Sequence, residues 1–441
     1  MVSTTIPFGF ALSSVYGSRV SKTTPTPMRL DEALIQRLAI ATAKMSNTRT
    51  GVVGYLQILS MISQCLKICC RWPAVLLVWH ALGSAGLLFA AERGTPSTST
   101  HRPASFPHRI WAACDFEWTA PDYGWFGIAE TNRIPAYPGN RTALRATPGP
   151  YEKVSAIMAG INPVPGPRMG KENGLFVRYF LKGGAKAVFQ HFSLTREDNW
   201  HIVVDDLKTN QWSELALNFT RDAKRNDGSA ERFGEGERMD DFKVIAGSPT
   251  QAANYELLLD DVIFFANDPS LPPEPEPFPN RVILLAAFDT GPKHPYWPGD
   301  YTIAETPPEG AFWRTARSVP RRDGPQMVVL PITPPRPVGA HTKLRFRFHL
   351  TGASSLTVQI FDATVQDNRH IRLNDLKQGR WTSLYLDFSR NSRRNDGTPN
   401  SPFTAGNLVD DLFFFVEGEG AKTATLHVDE VVLFDAGIAK P

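Results

Sequence analysis

The sequence predicts an all-β chain in which one sandwich domain occurs twice in tandem, joined by a proline-rich linker. Three observations support this fold class: a long ungapped internal repeat, apolar residues spaced two apart within each copy, and a proline-rich segment between the copies. At 441 residues the chain is long enough for two domains with separate hydrophobic cores.

The internal repeat is clearest in the middle of each copy. Residues 195–229 align with residues 364–398 without a gap, and about half of the positions are identical. The match continues outward, because residues 114–117 correspond to 286–289 and the segment ending at Phe265 corresponds to the one ending at Phe434. Two duplicated domains therefore account for most of the chain.

Hydrophobic periodicity predicts the secondary structure of each copy. In residues 381–388, Leu384, Leu386 and Phe388 alternate with more polar neighbours, and Ile371 and Leu373 alternate in the same way. This period of two is typical of strands with one buried and one exposed side, and no segment of either copy has a helical stripe. Short strands of this kind predict a two-sheet sandwich.

The domain boundaries follow from the repeat and from proline content. Residues 267–280, NDPSLPPEPEPFPN, are predicted to form the linker as an extended spacer, because proline lacks the N–H that ladders and helices need. Domain one then covers residues 109–266 and domain two residues 281–436. Residues 92–108 are rich in Ser, Thr and Pro and are predicted to be disordered.

A long apolar stretch, residues 73–91, follows Lys67 and Arg71 and ends in small residues, which is the pattern of a cleaved signal peptide. Because such a signal belongs at an N-terminus, we predict a start at Met61, with 61–91 as signal peptide and 1–60 as a mis-started or disordered leader. The protein would then be secreted or held at the cell surface. The alternative is that 61–91 is an uncleaved anchor, the one part of the chain in contact with a membrane.

Charge and cysteine content exclude several functions. The 47 Lys and Arg residues against 44 Asp and Glu leave a net charge of +3, which argues against a nucleic-acid binder that neutralises phosphates. Cys65, Cys69 and Cys70 lie in the predicted signal, so Cys114 alone would remain. Neither an internal disulfide nor a zinc site is expected.

Four features shared by both copies resemble the jelly-roll, galactose-binding-like carbohydrate-binding modules of secreted polysaccharide-degrading enzymes. The first strand ends in an acid, in Phe116-Glu117 and Phe288-Asp289, and the middle block carries a turn, clearest in Phe361-Asp362-Ala363. A later strand opens with Trp212 or Trp381, and the closing strand is acidic, with the sequence LDDVIF or VDEVVL. The resemblance implies two jelly-roll sandwiches and a polysaccharide or other glycan as partner.

The same resemblance implies a structural calcium ion in each copy. In this family the acid of the first strand and the Asp of the last strand often share the ion, which would pair Glu117 with Asp260 and Asp289 with Asp429. Calcium prefers six to eight oxygen ligands, so carboxylates suit it. The alternative is that these carboxylates lie at a solvated sheet edge.

Glycan binding needs aromatic faces for the sugar ring and polar side chains for its hydroxyls. Aromatic residues follow the first strand in both copies, namely Tyr123, Trp125 and Phe126 in copy one and Tyr296 and Trp297 in copy two. Trp125 also suits a core position. On the strands, the residues predicted to face away from the core are Gln359, Phe361, His370, Arg372 and Tyr385, with Gln190, Phe192 and His201 as counterparts in copy one.

Other repeated residues are assigned structural roles. Trp212 and Trp381 each open an amphipathic strand and are predicted to lie in the core. The Asn-Asp-Gly sequences at 226–228 and 395–397 are predicted to be turns, since Gly accepts positive φ. Copy one has Trp200 and His191 where copy two has Arg369 and Ile360, which suggests different ligand specificities.

The sequence favours a non-catalytic glycan-binding protein. Adjacent acids such as Asp260-Asp261 and Asp410-Asp411 should point to opposite faces of a strand, and no nucleophile-elbow, zinc-protease or P-loop motif is present. Two alternatives remain. One is a secreted polysaccharide-active enzyme, either a glycoside hydrolase or a lyase in which His201 and His370, with Arg372 and Tyr385, could serve. The other is a structural or adhesive surface protein.

Overall fold

The computed structural model describes residues 102–117, 124–131, 133, 141–148, 156–229, 231–247, 254–289, 301–319, 324–396, 398 and 402–436. They belong to one compact unit, Ala90–Pro441. The predicted leader 1–60, the predicted signal peptide 61–91 and residues 92–101 lie outside the described residues, as do Tyr123, Tyr296 and Trp297.

Copy one consists of thirteen strands and one short helix within the described ranges. The strands are β1 Arg109–Cys114, β2 Trp125–Phe126, β3 Ile128–Thr131, β4 Thr142–Arg145, β5 Thr147–Pro148, β6 Ile157–Ile161, β7 Glu172–Lys182, β8 Ala187–Ser193, β9 Asp198–Val204, β10 Trp212–Asn218, β11 Lys224–Arg225, β12 Met239–Ala246 and β13 Glu256–Asn267. Helix α1, Phe219–Asp222, is capped by the Asn218 side chain.

Copy two has eleven strands and one short helix in its described part. The strands are β14 Arg281–Ala286, β15 Tyr301–Ala304, β16 Thr315–Ser318, β17 Met327–Pro337, β18 Thr342–Thr351, β19 Ser355–Asp362, β20 Asp367–Leu373, β21 Trp381–Asp387, β22 Arg393–Arg394, β23 Leu408–Glu417 and β24 Thr425–Asp435. Helix α2, Phe388–Asn391, repeats α1 and is capped by Asp387.

Each copy is a sandwich of two antiparallel sheets. We call one of them the junction sheet, because it faces the other copy: β10-β7-β13-β4-β3 with β1 beside β13 in copy one, and β15-β16-β24-β18-β21 with β14 beside β24 in copy two. The other is the outer sheet: β11-β9-β8-β12-β6-β2 with β5 beside β6, and β17-β23-β19-β20-β22. The predicted all-β fold class of two tandem jelly-roll sandwiches is confirmed.

Alternation along the strands explains why the sheets pack in pairs. In β19, Leu356, Val358 and Ile360 are fully buried in the core of copy two, whereas Gln359 and Phe361, each next to Ile360, lie half-buried on the opposite side. The same alternation in β8, β9 and β12 supplies the core of copy one. Each outer sheet therefore has one face in its own core and a second face, which we call the open face.

The two sandwiches pack directly against each other through their junction sheets. A third hydrophobic cluster lies between the copies and contains Phe106, Ile110, Phe176, Ile263, Phe265, Phe278, Val282, Val432, Phe434 and Ala436. Buried ion pairs cross the same contact, from Arg109 to Asp289 and from Arg336 to Asp115. The Arg345 guanidinium also donates to the carbonyl of His108 at 2.7 Å.

Two predictions need correction. One is that the linker is an extended spacer, and the other is that residues 102–108, the described part of 92–108, are disordered. Phe278 of the linker lies in the junction cluster, and Lys343 binds Glu276 at 2.7 Å. Phe106 is also part of that cluster, and its N–H donates to the carbonyl of Glu276 at 2.6 Å. An apolar side chain in each segment completes the cluster, so residues 102–108 are ordered and the linker is packed down.

Candidate functional site

The open face of copy two brings several predicted ligand residues together. Strand register places Gln359 of β19 between His370 of β20 and Phe413 of β23. In the next row Thr357 lies between Arg372 and Phe415. Residues opposite one another on one face of an antiparallel sheet have side chains in contact range, so these six form one surface.

An aromatic pair that the sequence analysis missed is at the centre of this surface. The rings of Phe413 and Phe415 are nearly parallel, with centroids 5.5 Å apart and an angle of 8° between their planes. Both are half-buried, whereas Phe414 between them is fully buried in the core. The three consecutive Phe residues obscured the period of two, although the register of the polar residues Asp411 and Glu417 could have revealed it.

Polar groups surround the aromatic pair. His370 Nδ1 and Thr357 Oγ1 are shielded from solvent and have no hydrogen-bond partner among the described residues. Arg372 is exposed and binds Glu417 at 2.7 Å. A hydroxyl-rich ligand at this surface would therefore meet the exposed Arg372–Glu417 pair directly, whereas the two shielded atoms are out of its reach.

Asp411 adds a titratable group to the same face. It lies opposite Pro331 of β17, two positions before Phe413. Burial, together with the neighbouring charge of Asp410, raises the pKa of Asp411 to about 6. Its carboxyl group can therefore either donate or accept a hydrogen bond at mildly acidic pH.

Copy one has the same polar pair on its open face but a different centre. Gln190 lies between His201 and Lys243, as Gln359 lies between His370 and Phe413, but Gln190 is buried whereas Gln359 is half-buried. Burial lowers the pKa of His201, which keeps the imidazole neutral. Lys243 and Ile245 replace the aromatic pair, and Lys243 binds Asp241 at 2.8 Å. The open face of copy one is thus more polar and less aromatic than that of copy two.

The loop aromatics of copy one divide between the two sides of the outer sheet. Trp125 pairs with Ile161 on the core side, and its ring meets Phe116 edge-on at 5.0 Å. Phe126 instead lies over Gly160, where an added Cβ would be 2.5 Å from its ring. Phe126, not Trp125, therefore shares the open face with Gln190 and His201.

Tyr385 does not belong to either open face. It is on β21 of the junction sheet, where its ring meets Phe106 at 5.7 Å and its hydroxyl donates to Glu274 at 3.0 Å. Burial raises the pKa of this phenol. Because His370 and Arg372 lie on the outer sheet of copy two and His201 lies on the outer sheet of copy one, Tyr385 is not brought together with the other groups considered for a lyase.

The prediction that Trp212 and Trp381 are core residues is wrong. Both are half-buried on the side of the junction sheet away from its core, and each indole N–H donates to a loop carbonyl, of Arg133 at 3.1 Å and of Pro308 at 3.2 Å. The guanidinium of Arg347 lies 5.3 Å from the Trp381 ring. Loops and arginines, rather than the core, cover these rings.

The Asn-Asp-Gly turn is confirmed as structural in copy one. Gly228 has φ of +76°, which disfavours any side chain, and the N–H of Ser229 donates to Asp227 at 2.8 Å. Arg225 pairs with Asp198 at 3.2 Å, and Arg394 pairs with Asp367 at 3.1 Å in copy two. The arginine before each turn thus binds the first residue of the neighbouring strand, β9 in copy one and β20 in copy two.

Trp200 and His191, the two differences on which the expectation of distinct ligand specificities rests, both lie in the core of copy one. Trp200 is fully buried and donates to Glu237, whereas Arg369 is buried against Asp362 at 2.8 Å. His191 is enclosed by aromatic rings, and burial lowers its pKa to about 3. These differences change core packing and leave the open faces untouched.

Adjacent acids do not point to opposite faces at the bulge in each closing strand. The register shifts between Asp260 and Ile263, and Asp261 has φ of +44°. One guanidinium nitrogen of Arg178 consequently lies 3.4 Å from Asp260 and 3.0 Å from Asp261. Strand alternation fails here because a bulge adds a residue to one strand.

In copy one the predicted calcium ligand Glu117 is engaged by backbone groups. Its carboxylate accepts hydrogen bonds from the backbone N–H groups of Arg141 and Thr142. Burial, then the charge of Asp261, raises the pKa of Asp260, and Asp115 of the first strand adds to this shift. Asp115 itself pairs with Arg336 of copy two.

In copy two Asp289 and Asp429 do lie together, but arginines surround them. Asp289 pairs with Arg109, and Glu430 beside Asp429 binds Arg345 at 2.6 Å and lies 3.9 Å from Arg347. Three carboxylates thus meet three guanidinium groups. Such a balanced cluster does not fit a divalent cation, and no group of three His, Cys, Asp or Glu in the described ranges is arranged for a metal.

No family model matches the sequence, and no curated protein matches it. Among solved structures, the tandem CBM22-1-CBM22-2 domain of Paenibacillus barcinonensis Xyn10C is 14% identical, covers 76% of this chain and 99% of its own, and gives a TM-score of 0.28. The tandem CBM51 modules of Sp3GH98 from Streptococcus pneumoniae SP3-BS71 are 6% identical, with coverage of 67% and 84% and a TM-score of 0.18. Sequence identities and TM-scores this low carry no argument about the function of this chain.

None of the helices in the described ranges has the length and apolar character needed to cross a membrane. The apolar segment 73–91 lies outside those ranges, so its assignment as signal peptide or anchor stays a prediction.

Proposed function

We propose that the protein is an exported, non-catalytic polysaccharide-binding protein and that the open face of copy two is its principal binding surface. The observation that supports this most is the half-buried stack of Phe413 and Phe415 beside the Gln359–His370 pair. A flat aromatic surface suits the C–H face of a sugar ring, and the flanking amide and imidazole suit its hydroxyls.

The charges on this face favour a neutral polysaccharide over an acidic one. Arg372 is paired with Glu417, and two other charged residues of this face, Arg393 opposite His370 and Asp411 opposite Pro331, carry opposite charges on different strands. An anionic polymer gains most from uncompensated positive charge, which these four residues do not supply. Hydroxyl recognition rather than charge attraction is therefore the expected source of specificity.

The separation of the lyase candidates supports binding without catalysis. Base catalysis requires a proton acceptor and its partners within hydrogen-bond reach of the same substrate atom. His370 is on the outer sheet and Tyr385 is on the junction sheet, where its hydroxyl is engaged with Glu274. We therefore expect no product release from any polysaccharide that the protein retains.

Affinity electrophoresis of the protein through gels containing neutral or acidic polysaccharides tests the proposal. Phe413→Ala combined with Phe415→Ala should weaken retention roughly 30-fold, since truncating a central contact aromatic costs about 2 kcal/mol. Leu271→Ala, at an exposed linker residue, is the matched control and should migrate as the unmodified chain. Unchanged retention of a folded double variant would refute this binding face. If no polysaccharide retained the unmodified protein in the gel, the proposed function would be refuted.

A further inference from the structure

The two open faces are on opposite sides of one compact unit. Each sandwich has two sheets, and the copies meet through the junction sheets, with the ring of Phe176 5.2 Å from Phe278 and that of Phe106 4.8 Å from Phe434. The order of layers is therefore outer sheet, junction sheet, junction sheet, outer sheet. The open faces are the two exterior surfaces of this four-layer stack.

The contact between the copies leaves no hinge. Arg109 of copy one is buried against Asp289 of copy two, and Arg336 of copy two is buried against Asp115 of copy one. These two ion pairs run in opposite directions across the contact, and side chains of the linker and of residues 102–108 fill the space beside them. Separating the copies would expose a hydrophobic cluster and leave buried charges unpaired, which is costly.

We propose that the protein bridges two separate polysaccharide chains, one on each open face, rather than holding a single chain at two points. This inference rests on the proposed function. A linker that allowed both sites to bind one polymer would increase avidity, but sites that face away from each other on one compact unit cannot share one straight chain. Copy two offers the half-buried Gln359 and His370 to a sugar, and copy one offers the half-buried His201 and Phe126, since Gln190 is buried.

Aggregation of polysaccharide-coated beads tests the bridging directly. The polysaccharide is one that retains the full chain in affinity electrophoresis. The protein should aggregate such beads, whereas a variant with one disabled face should bind single beads without joining them. Phe413→Ala with Phe415→Ala disables copy two, and Phe126→Ala with His201→Ala disables copy one. Leu271→Ala should aggregate beads normally.

Two readouts separate the possible failures. Protein depleted from solution by the beads measures binding, and light scattering of the suspension measures bridging. Binding without aggregation by the unmodified chain would overturn the bridging proposal and leave the proposed function standing. Aggregation that persists in both single-face variants would also overturn it, since bridging would then arise from self-association. Absence of binding would overturn both proposals. Circular dichroism of each variant verifies its fold.

Discussion

Replacing Arg109 by Met should uncouple the two sandwiches. The Arg109 side chain is 4% exposed and its partner Asp289 is 3% exposed, so the substitution leaves a buried carboxylate of copy two without its cross-copy partner. Arg109 also donates to the carbonyl of Arg168 at 2.7 Å. Removing one member of a buried pair costs about 3 to 5 kcal/mol, and here the cost falls on the contact between the copies.

Arg281→Met is the matched control, because Arg281 begins β14 as Arg109 begins β1. Its side chain is equally buried, but it pairs with Asp435 at 2.6 Å within copy two. Both variants should lose a similar free energy of unfolding in urea. Calorimetry should show two separate transitions for Arg109→Met alone, since that variant weakens the coupling. An Arg109→Met protein within about 0.5 kcal/mol of the unmodified chain, unfolding in one transition, would refute the reasoning.

Three further predictions concern single groups. Because the pKa of Asp411 is raised to about 6, its protonated form stabilises the fold below its ordinary pKa, and this contribution is lost as pH rises through about 6. After allowance for half exposure, the free energy of unfolding of Asp411→Asn, measured by urea titration, should exceed that of the unmodified chain by about 1 kcal/mol at neutral pH and equal it at low pH. The same pH dependence in both proteins would contradict this. Chelation of calcium should leave the melting temperature unchanged, because arginines already balance the Asp289 cluster, and a fall in melting temperature would restore the calcium prediction. Trp125→Ala should cost up to about 3 kcal/mol of stability in copy one yet leave polysaccharide retention intact, and weaker retention by a folded variant would return Trp125 to the site.

The fold was predictable from sequence because duplication and strand alternation are local signals. The repeat located both copies, and the alternation in β19 and β20 correctly separated Val358 and Ile371 from Gln359 and His370. Those last two residues are in the candidate site as predicted. Alternation gives the side of a strand, however, and not the sheet to which the strand belongs. Tyr385 was therefore grouped with residues on a different sheet.

The contact between the copies could not be predicted, because it depends on which faces of two sheets meet. Phe176 and Phe434 lie on the non-core side of their strands, where a sequence pattern shows only an apolar residue that breaks alternation. The proline-rich linker suggested separation, yet Phe278 within it anchors the two sandwiches together. The bulges at Asp261 and Glu430 likewise turned adjacent acids to one side, which no spacing rule anticipates.

Hydroxyl-radical footprinting of the full chain with and without a retained polysaccharide measures the shielding of individual side chains and so locates the binding surface. Phe413, Phe415 and His370 should become protected when polysaccharide binds, while the rings of Trp381 and Trp125 should not change. Protection confined to Trp381 or other residues of the junction sheet, with Phe413 and Phe415 still reactive, would contradict this prediction.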